Sequence, residues 1–257
     1  MTEDTAQRLR NAGQLRTDWE LRAQSSARDF FIASHPGWDV PERWEQQAGV
    51  DARFALDGLD AAALAGHDVL EIGCGVGRLA PHLAPRVLSY TGCDIAESMV
   101  SEAQRRHRRL GNARFLLSDG LGTPPQARDR LYQLALAWAV FIHCPRDVIA
   151  ALVTDCWSLL APGGELRFQL RADVAEAMAA GGADAASVAD AREQQAAADI
   201  AVPPESLALV DGSDYMGATF RADEVEDFLQ RLTGGKVTTV RADPLHIYGT
   251  LRRSRRR

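Results

Sequence analysis

The fold of this 257-residue chain is decided by residues 69–79, which read Val69-Leu70-Glu71-Ile72-Gly73-Cys74-Gly75-Val76-Gly77-Arg78-Leu79. A short apolar run typical of a strand ends in three alternate glycines, and a helical pattern follows at 76–83. Glycine suits such a turn because the backbone can bend sharply and approach a ligand without Cβ contacts. The amino end of the helix adds free N–H groups and a partial positive charge. The stretch therefore predicts a strand, a tight turn and a helix that together bind a ligand.

Residues around this turn indicate which ligand it binds. Asp94 ends the next predicted strand, 21 positions after Gly73, where a carboxylate can accept hydrogen bonds from both ribose hydroxyls of an adenosine. The dinucleotide fingerprint requires a small residue three positions after Gly75, and Arg78 stands there instead. A carboxylate such as Glu71 at the strand end repels a pyrophosphate but suits a cationic ligand. An adenosine ligand that carries positive charge is therefore favoured over NAD.

Strands and helices alternate through the centre of the chain. The strands are predicted at 69–72, 87–93, 114–117, 131–137 and 165–170, and the helices at 2–34, 50–64, 76–83, 96–110, 148–160 and 223–232. This alternation predicts an α/β fold with a doubly wound, mostly parallel sheet. Two closing strands, at 236–240 and 245–251, are joined by a turn too short for a helical crossover. The last strand is therefore expected to run antiparallel to its neighbour.

The domain organisation follows from this pattern. Residues 1–65 contain no clear strand and are predicted to form an N-terminal helical lid, while residues 66–252 form the sheet domain. Residues 171–220 begin as an alanine-rich helical insertion after strand five, at the sheet edge where open α/β folds bind ligands. This insertion is either a cap over the site or a surface insertion. Residues 253–257 are expected to form a frayed basic tail.

Composition narrows the class of protein. The net charge of −6 argues against a nucleic-acid partner, which would favour a basic balance. No apolar run is long enough to span a bilayer, and the first residues lack a secretory core, so a cytoplasmic location is expected. The four cysteines lack the spacing of a zinc site, which predicts reduced, packed thiols; no metal-binding residue is predicted, and metal dependence stays open. The oligomeric state stays open.

Five motifs, in order along the chain, resemble those of the class I S-adenosylmethionine-dependent methyltransferase superfamily. Glu71 to Gly77 is similar to its first motif, and Asp94 is like its ribose-binding acid. Ser118-Asp119-Gly120 is similar to its third-strand motif, whose acid commonly contacts the adenine amino group. Residues 137–143 resemble the segment beside cofactor and acceptor, and Leu159 to Gly164 resembles the turn before strand five. The resemblance covers roughly residues 67–170. It implies a seven-stranded sheet with an antiparallel last strand, and S-adenosylmethionine as the cofactor.

The resemblance also implies a set of cofactor-binding residues. They are Glu71, Gly73, Cys74, Gly75, Gly77, Asp94, Ile95, Asp119, Gly120, Ala137 and Trp138. Several have a structural alternative, since Asp94 and Asp119 could cap the segments that follow them, and Trp138 could belong to the core. Cys74 is interpreted as a small packing residue in the loop and not as a nucleophile.

His143 is the candidate general base, because a neutral imidazole can take a proton from an acceptor hydroxyl or ammonium group. The alternative is that His143 caps the next helix or hydrogen-bonds a backbone carbonyl. Methyl transfer needs alignment and exclusion of water more than side-chain chemistry, so a lid is expected. Aromatic residues in the lid segments favour a mostly apolar acceptor pocket: Trp19, Phe30, Phe31, Trp38, Trp44, Tyr215 and Phe220.

The predicted function is methyl transfer from S-adenosylmethionine to an oxygen or nitrogen of a small molecule, such as a specialised metabolite or sugar. One alternative is a protein or other macromolecule as the acceptor. A second is a cyclase or binding protein that uses the same cofactor without methyl transfer. An NAD-dependent oxidoreductase is disfavoured by Glu71 and Arg78. No Asn-Pro-Pro-Tyr motif follows strand four. This motif is the commonest signature of enzymes that methylate amino groups of bases or glutamine, so its absence argues against that activity.

Overall fold

A computed structural model describes residues 2–179, 184–199, 201–210 and 217–255. Two features singled out in the sequence lie outside these ranges: Tyr215, and the last two arginines of the basic tail. Within the ranges given, no helix combines the length and the apolar character needed to cross a membrane.

The sheet is built from β1 (Asp68–Ile72), β2 (Ser89–Asp94), β3 (Ala113–Leu117), β4 (Tyr132–Ala137), β5 (Leu160–Ala172), β6 (Thr219–Phe220), β7 (Lys236–Ala242) and β8 (His246–Arg252). The strand order is β3-β2-β1-β4-β5-β8-β7, and β6 pairs with the end of β5. Strand β8 runs antiparallel to β5 and β7, and the pairs among β1 to β6 are parallel. The predicted doubly wound, mostly parallel sheet with an antiparallel last strand is confirmed. The two-residue β6 is an addition to the seven strands predicted.

Helices flank this sheet: α1 (Glu3–Gln24), α2 (Arg28–Ile32), α3 (Pro41–Ala55), α4 (Ala61–Leu64), α5 (Ala80–Leu83), α6 (Glu97–Arg106), α7 (Arg146–Leu159), α8 (Val174–Ala179), α9 (Ala185–Asp199), α10 (Leu207–Val210) and α11 (Val225–Thr233). Alternate residues of β4 pack into different cores. Ala135 and Ala137 join the core that includes α7 and α11, whereas Leu134 and Leu136 join the core that includes α3 and α5. Because β4 is buried on both faces from Leu134 to Ala137, these four residues are all apolar, as in a central strand.

Three predicted helices differ clearly from the structure. The helix expected at 2–34 is two helices, since α1 ends at Gln24 and α2 begins at Arg28. The helix expected at 76–83 begins only at Ala80. Gly77 has a φ of +75°, which a right-handed helix excludes, so the glycine loop continues through turns to Leu79. The helix expected at 50–64 is two helices, since α3 ends at Ala55 and α4 begins at Ala61, with Gly58 at a φ of +73° between them.

Strand β5 begins at Leu160, five residues earlier than the predicted bound at 165. The Pro162-Gly163-Gly164 turn lies inside this extended segment. The reason is a pairing partner from the end of the chain: the Gly163 N–H donates to the Arg253 carbonyl at 3.0 Å, and the Arg253 N–H donates to the Gly164 carbonyl at 2.8 Å.

The N-terminal helices lie across the carboxyl edge of the sheet. Helix α1 is tied to α7 by a hydrogen bond of 2.9 Å from Asn11 Nδ2 to Asp147 Oδ2, and to α6 by the Glu20 carboxylate, which accepts the Ser98 N–H at 3.2 Å. The insertion contacts the same region, since Trp38 Nε1 donates to the Ala198 carbonyl at 3.2 Å. The extension and the insertion therefore pack together above the site described below.

Candidate active site

The glycine loop holds a backbone conformation that only glycine adopts readily. Gly73 has a φ of +66°, and a Cβ there would lie 2.3 Å from the Val140 side chain. A Cβ on Gly77 would meet His107 at 2.7 Å and Phe115 at 2.8 Å. Gly73 therefore lets the loop approach the segment after β4, and Gly77 lets it pack against α6 and β3.

A cavity of about 830 Å³, including open solvent, lies over this loop. Eight of the eleven predicted cofactor residues line it: Glu71, Gly73, Cys74, Gly75, Asp94, Ile95, Gly120 and Trp138. The N-terminal helices supply Leu15, Trp19, Phe31 and Ile32 to its wall. The cavity is thus formed jointly by the sheet edge and the N-terminal extension.

Three predicted cofactor residues do not line the cavity. Gly77 instead packs against His107 and Phe115, as described above, and Ala137 is fully buried inside the sheet. Asp119 is exposed, and its Oδ1 accepts the N–H groups of Leu121 at 2.9 Å and Gly122 at 3.0 Å. The structure therefore gives Asp119 a turn-capping role, and contact with adenine stays a prediction.

Glu71 is a buried carboxylate, with 3% of its surface exposed. Tyr90 on the neighbouring strand β2 donates its phenol to Glu71 Oε2 at 2.5 Å. Burial raises the pKa of Glu71 to about 7, although the Tyr90 hydrogen bond and the positive charge of Arg78 act in the opposite direction. Near neutral pH the charge of this group is therefore easily changed by what binds beside it.

Asp94 braces the glycine loop from the end of β2. Its Oδ2 accepts the Gly75 N–H at 2.8 Å, and its Oδ1 accepts the Ala96 N–H at 2.9 Å. Burial raises the pKa of Asp94, while these backbone hydrogen bonds lower it. A carboxylate has about four lone-pair positions, so the backbone N–H groups leave acceptor capacity for a ligand in the cavity. Capping and ligand binding are therefore compatible at this residue.

Cys74 is buried in the loop, and burial raises the pKa of its thiol well above the usual range. A thiol that holds its proton is a poor nucleophile. This environment agrees with the packing role expected from the sequence. The cysteines at 93, 144 and 156 are also buried and unpaired with one another.

Trp138 and Ala139 form a wall after β4. The Trp138 ring packs 5.4 Å from the Phe54 ring and 5.6 Å from the Tyr248 ring, centroid to centroid. Ala139 has a φ of +56°, which costs a non-glycine residue about 1–2 kcal/mol. Its N–H donates to Gln169 Oε1 at 3.0 Å, which helps to hold this conformation.

A second cavity, of about 1710 Å³ including open solvent, is also lined by Trp138 and Ala139 and so adjoins the first. The two cavities share Phe31, Ile32, Arg78, Trp138 and Ala139. His143 is buried and lines the second cavity, with its ring edge-on to Trp19 at 5.1 Å. Polar side chains of β5 and β8 line it as well: Gln169, Arg171, His246 and Tyr248.

Reasoning from the sequence missed several of these residues. Arg78 served there only as evidence against a dinucleotide, yet it lines both cavities and pairs with Asp51. Gln169 was assigned only to a strand, and Arg171 only to the insertion that follows it. Polar residues at alternate positions in an otherwise apolar strand are the signal that could have identified them.

Comparisons with known proteins agree with this geometry. The model of the methyltransferase domain family matches residues 69–164. The ubiquinone biosynthesis O-methyltransferase of Pseudomonas putida (strain GB-1) is 26% identical over 143 residues, which cover 54% of this chain and 59% of that protein. The chain thus spans about three fifths of the length of this curated relative.

Solved structures share the fold at low identity. The DhpI–SAM–HEP complex has a TM-score of 0.59 and 23% identity, with 98% of this chain and 99% of that chain covered. The N-methyltransferase NodS of Bradyrhizobium japonicum WM9, in complex with S-adenosylhomocysteine, has a TM-score of 0.56 and 17% identity, with 95% and 98% covered. Residues 69–164 therefore form a methyltransferase domain of the class I, Rossmann-like superfamily that the sequence motifs predict.

Proposed function

We propose that this protein binds S-adenosylmethionine in the first cavity and transfers its methyl group to an oxygen or nitrogen of a small molecule in the second. The observation that carries this proposal is the contact between the two cavities at Trp138 and Ala139. Two adjoining cavities can hold a donor and an acceptor next to each other, so that the acceptor atom is aligned with the methyl group, which is the main requirement of methyl transfer.

The residues of the first cavity fit the proposed cofactor. Glu71 offers a carboxylate to a cationic ligand, and Asp94 has free lone pairs for ribose hydroxyls. Leu15, Ile95 and Leu152 supply an apolar surface for an adenine ring. When bound, S-adenosylmethionine supplies a methyl group already activated by its positive sulfur.

The chain's own residues would then position the acceptor and remove its proton. Trp19 and Phe31 line the first cavity from the N-terminal helices, so a lid function for residues 1–65 fits their position. The insertion supplies Val174 and Arg192 to the second cavity, which favours a cap over a surface insertion. His143 faces the second cavity, where its imidazole can take the proton of an acceptor hydroxyl.

The second cavity lies beneath helices, where a small molecule can enter more easily than a protein acceptor can. The relatives named above act, by their names, at oxygen in one case and at nitrogen in another. Both atoms therefore stay within the proposal. A specialised metabolite or a sugar is the acceptor class proposed.

Two measurements test the proposal in sequence. Calorimetric titration is expected to give binding heat with S-adenosylhomocysteine and none with NAD. A screen of small acceptors with methyl-labelled S-adenosylmethionine is then expected to yield labelled product. Tight NAD binding without S-adenosylhomocysteine binding would refute the cofactor assignment. Cofactor binding with label transferred only to proteins would replace the small-molecule acceptor by a macromolecule.

A further inference from the structure

Four polar side chains form a patch on one face of the β5–β8 pair, at the second cavity. Strand residues two apart point to the same face, so Gln169 and Arg171 share a face of β5. The antiparallel register places Tyr248 opposite Gln169 and His246 opposite Arg171. All four line the second cavity. The floor of the proposed acceptor site is therefore polar, not apolar as the aromatic lid residues predict.

No residue that the structure describes neutralises the charge of Arg171. Within the described ranges no carboxylate lies at ion-pair distance from its guanidinium. Its hydrogen bond there is donated from Nη1 to the Gly217 carbonyl at 3.2 Å. The side chain is half-buried, and burial lowers its pKa. His246 lies opposite Arg171 on strand β8. An acidic residue at that position would stabilise the guanidinium, but an imidazole is not acidic.

Other charged residues add to this imbalance. Arg192 of helix α9 lines the second cavity, again with no ion pair among the described residues. Arg78 is neutralised by Asp51. Among the described residues that line the second cavity, Asp51 is the acidic one. Asp243 does not line the cavity, although its Oδ2 accepts the Tyr248 phenol and its Oδ1 lies 3.4 Å from His246 Nδ1. The lining therefore has surplus positive charge at its β5–β8 end.

We infer that the acceptor carries an oxyanion, a carboxylate or a phosphate, which Arg171 binds with help from His246. This inference rests on the proposed function and names its substrate class. An anion here would compensate a partly buried cation, and a guanidinium offers two parallel N–H groups to two oxygens. Gln169 touches the wall at Ala139, and Arg171 lies two residues further along β5, about 7 Å away. The anion is thus held apart from the reacting atom of the acceptor.

Ligand-observed NMR with the S-adenosylhomocysteine-loaded protein tests this inference. The probes are matched pairs of small fragments: carboxylates with their primary amides, and phosphate monoesters with their parent alcohols. The anionic member is expected to bind about tenfold more tightly or better, the usual effect of hydrogen bonds to a charged group. The two sets of pairs distinguish a carboxylate from a phosphate.

Three variants assign the effect to Arg171. Arg171→Gln is expected to abolish the preference for the anionic member, and Arg171→Lys to keep part of it. Arg221→Gln is the matched control, because Arg221 makes its ion pair with Asp223 outside the cavity and should leave the preference unchanged. All three are expected to bind S-adenosylhomocysteine as the parent does, which also reports correct folding.

The outcomes separate this inference from the proposed function. Equal binding of neutral and anionic members, no binding by any anionic member, or a preference that survives in Arg171→Gln would overturn the oxyanion site. Loss of S-adenosylhomocysteine binding by the parent protein would instead contradict the cofactor assignment, on which the inference rests.

Discussion

Arg78 and Asp51 form an ion pair of 2.6 Å that joins the glycine loop to helix α3. The Arg78 side chain is 5% exposed and that of Asp51 is 19% exposed, so both charges are largely removed from water. An unpaired charge in such a position is costly, because neither solvent nor a partner stabilises it. The ion pair thus couples the N-terminal extension to the loop proposed to bind the cofactor.

Replacing Asp51 by Asn is expected to destabilise the protein by about 2–4 kcal/mol, since it leaves Arg78 buried without its partner. Urea unfolding at neutral pH measures this change. Adding Arg78→Met to Asp51→Asn should recover part of the loss, because the uncompensated charge is then removed. A double variant whose loss equals the sum of the single losses would show that the pair is not coupled.

Asp94→Ala is expected to weaken binding of S-adenosylhomocysteine by about 1.5–3 kcal/mol, the usual contribution of hydrogen bonds to a charged group. Asp94 also holds the Gly75 N–H, so part of the loss comes from the loop. Asp94→Asn keeps one acceptor oxygen and should lose less. Calorimetry measures both affinities, with circular dichroism as the check on folding. Parental affinity in Asp94→Ala would exclude this residue from the ribose site.

Binding of S-adenosylhomocysteine is expected to tighten as pH rises from about 6 to about 8. The pKa of Glu71 is raised to about 7, and only its ionised form attracts the ligand's ammonium group. The fraction ionised changes about tenfold across this range, which sets the upper limit of the effect. Calorimetry at several pH values gives the slope, and Glu71→Gln should remove it. The same slope in Glu71→Gln would assign the titration to another group.

The raised pKa of Glu71 also leads us to expect that the stability of the free protein depends on pH. Its folded pKa lies above the usual value of 4.5, so the folded state holds the proton more tightly than the unfolded state does. Its contribution is therefore complete below pH 4.5 and is lost as pH rises towards 7. Glu71→Gln should unfold at higher urea concentration than the parent at pH 8. Equal midpoints there would mean that the ionised carboxylate is well compensated.

Residues 15–45 are expected to exchange their amide hydrogens more slowly when S-adenosylhomocysteine is bound. Leu15, Trp19 and Phe31 line the first cavity, so a ligand there gives the N-terminal helices additional contacts. Helix α11 contributes no residue to either cavity and serves as the internal control. Equal protection of residues 15–45 with and without the ligand would contradict the lid.

His143→Ala is expected to lower kcat by about 10²–10⁴-fold on a hydroxyl acceptor, the usual contribution of a positioned base. Affinity for S-adenosylhomocysteine should change little, because His143 lines the second cavity and not the first. His143→Gln, which better fills the space beside Trp19, separates lost packing from lost proton transfer. A near-parental kcat in either variant would leave His143 with a structural role.

The sheet and the glycine loop could be predicted from the sequence. Alternating strands and helices predicted the doubly wound sheet, because burial on one or both faces imposes a short-range period on the residues. Gly73 and Asp94 marked the turn and the strand end, because left-handed backbone and strand termini are local properties. Eight of the eleven cofactor residues that the family resemblance implies line the first cavity.

Only the tertiary structure decided which distant side chains meet. Tyr90 reaches Glu71 through the pairing of β1 and β2, and His246 faces Arg171 through the register of β5 and β8. The physical reason is that spacing along the chain encodes backbone conformation and the buried face of each element. Contacts between elements depend instead on strand order and register, which result from the packing of the whole chain.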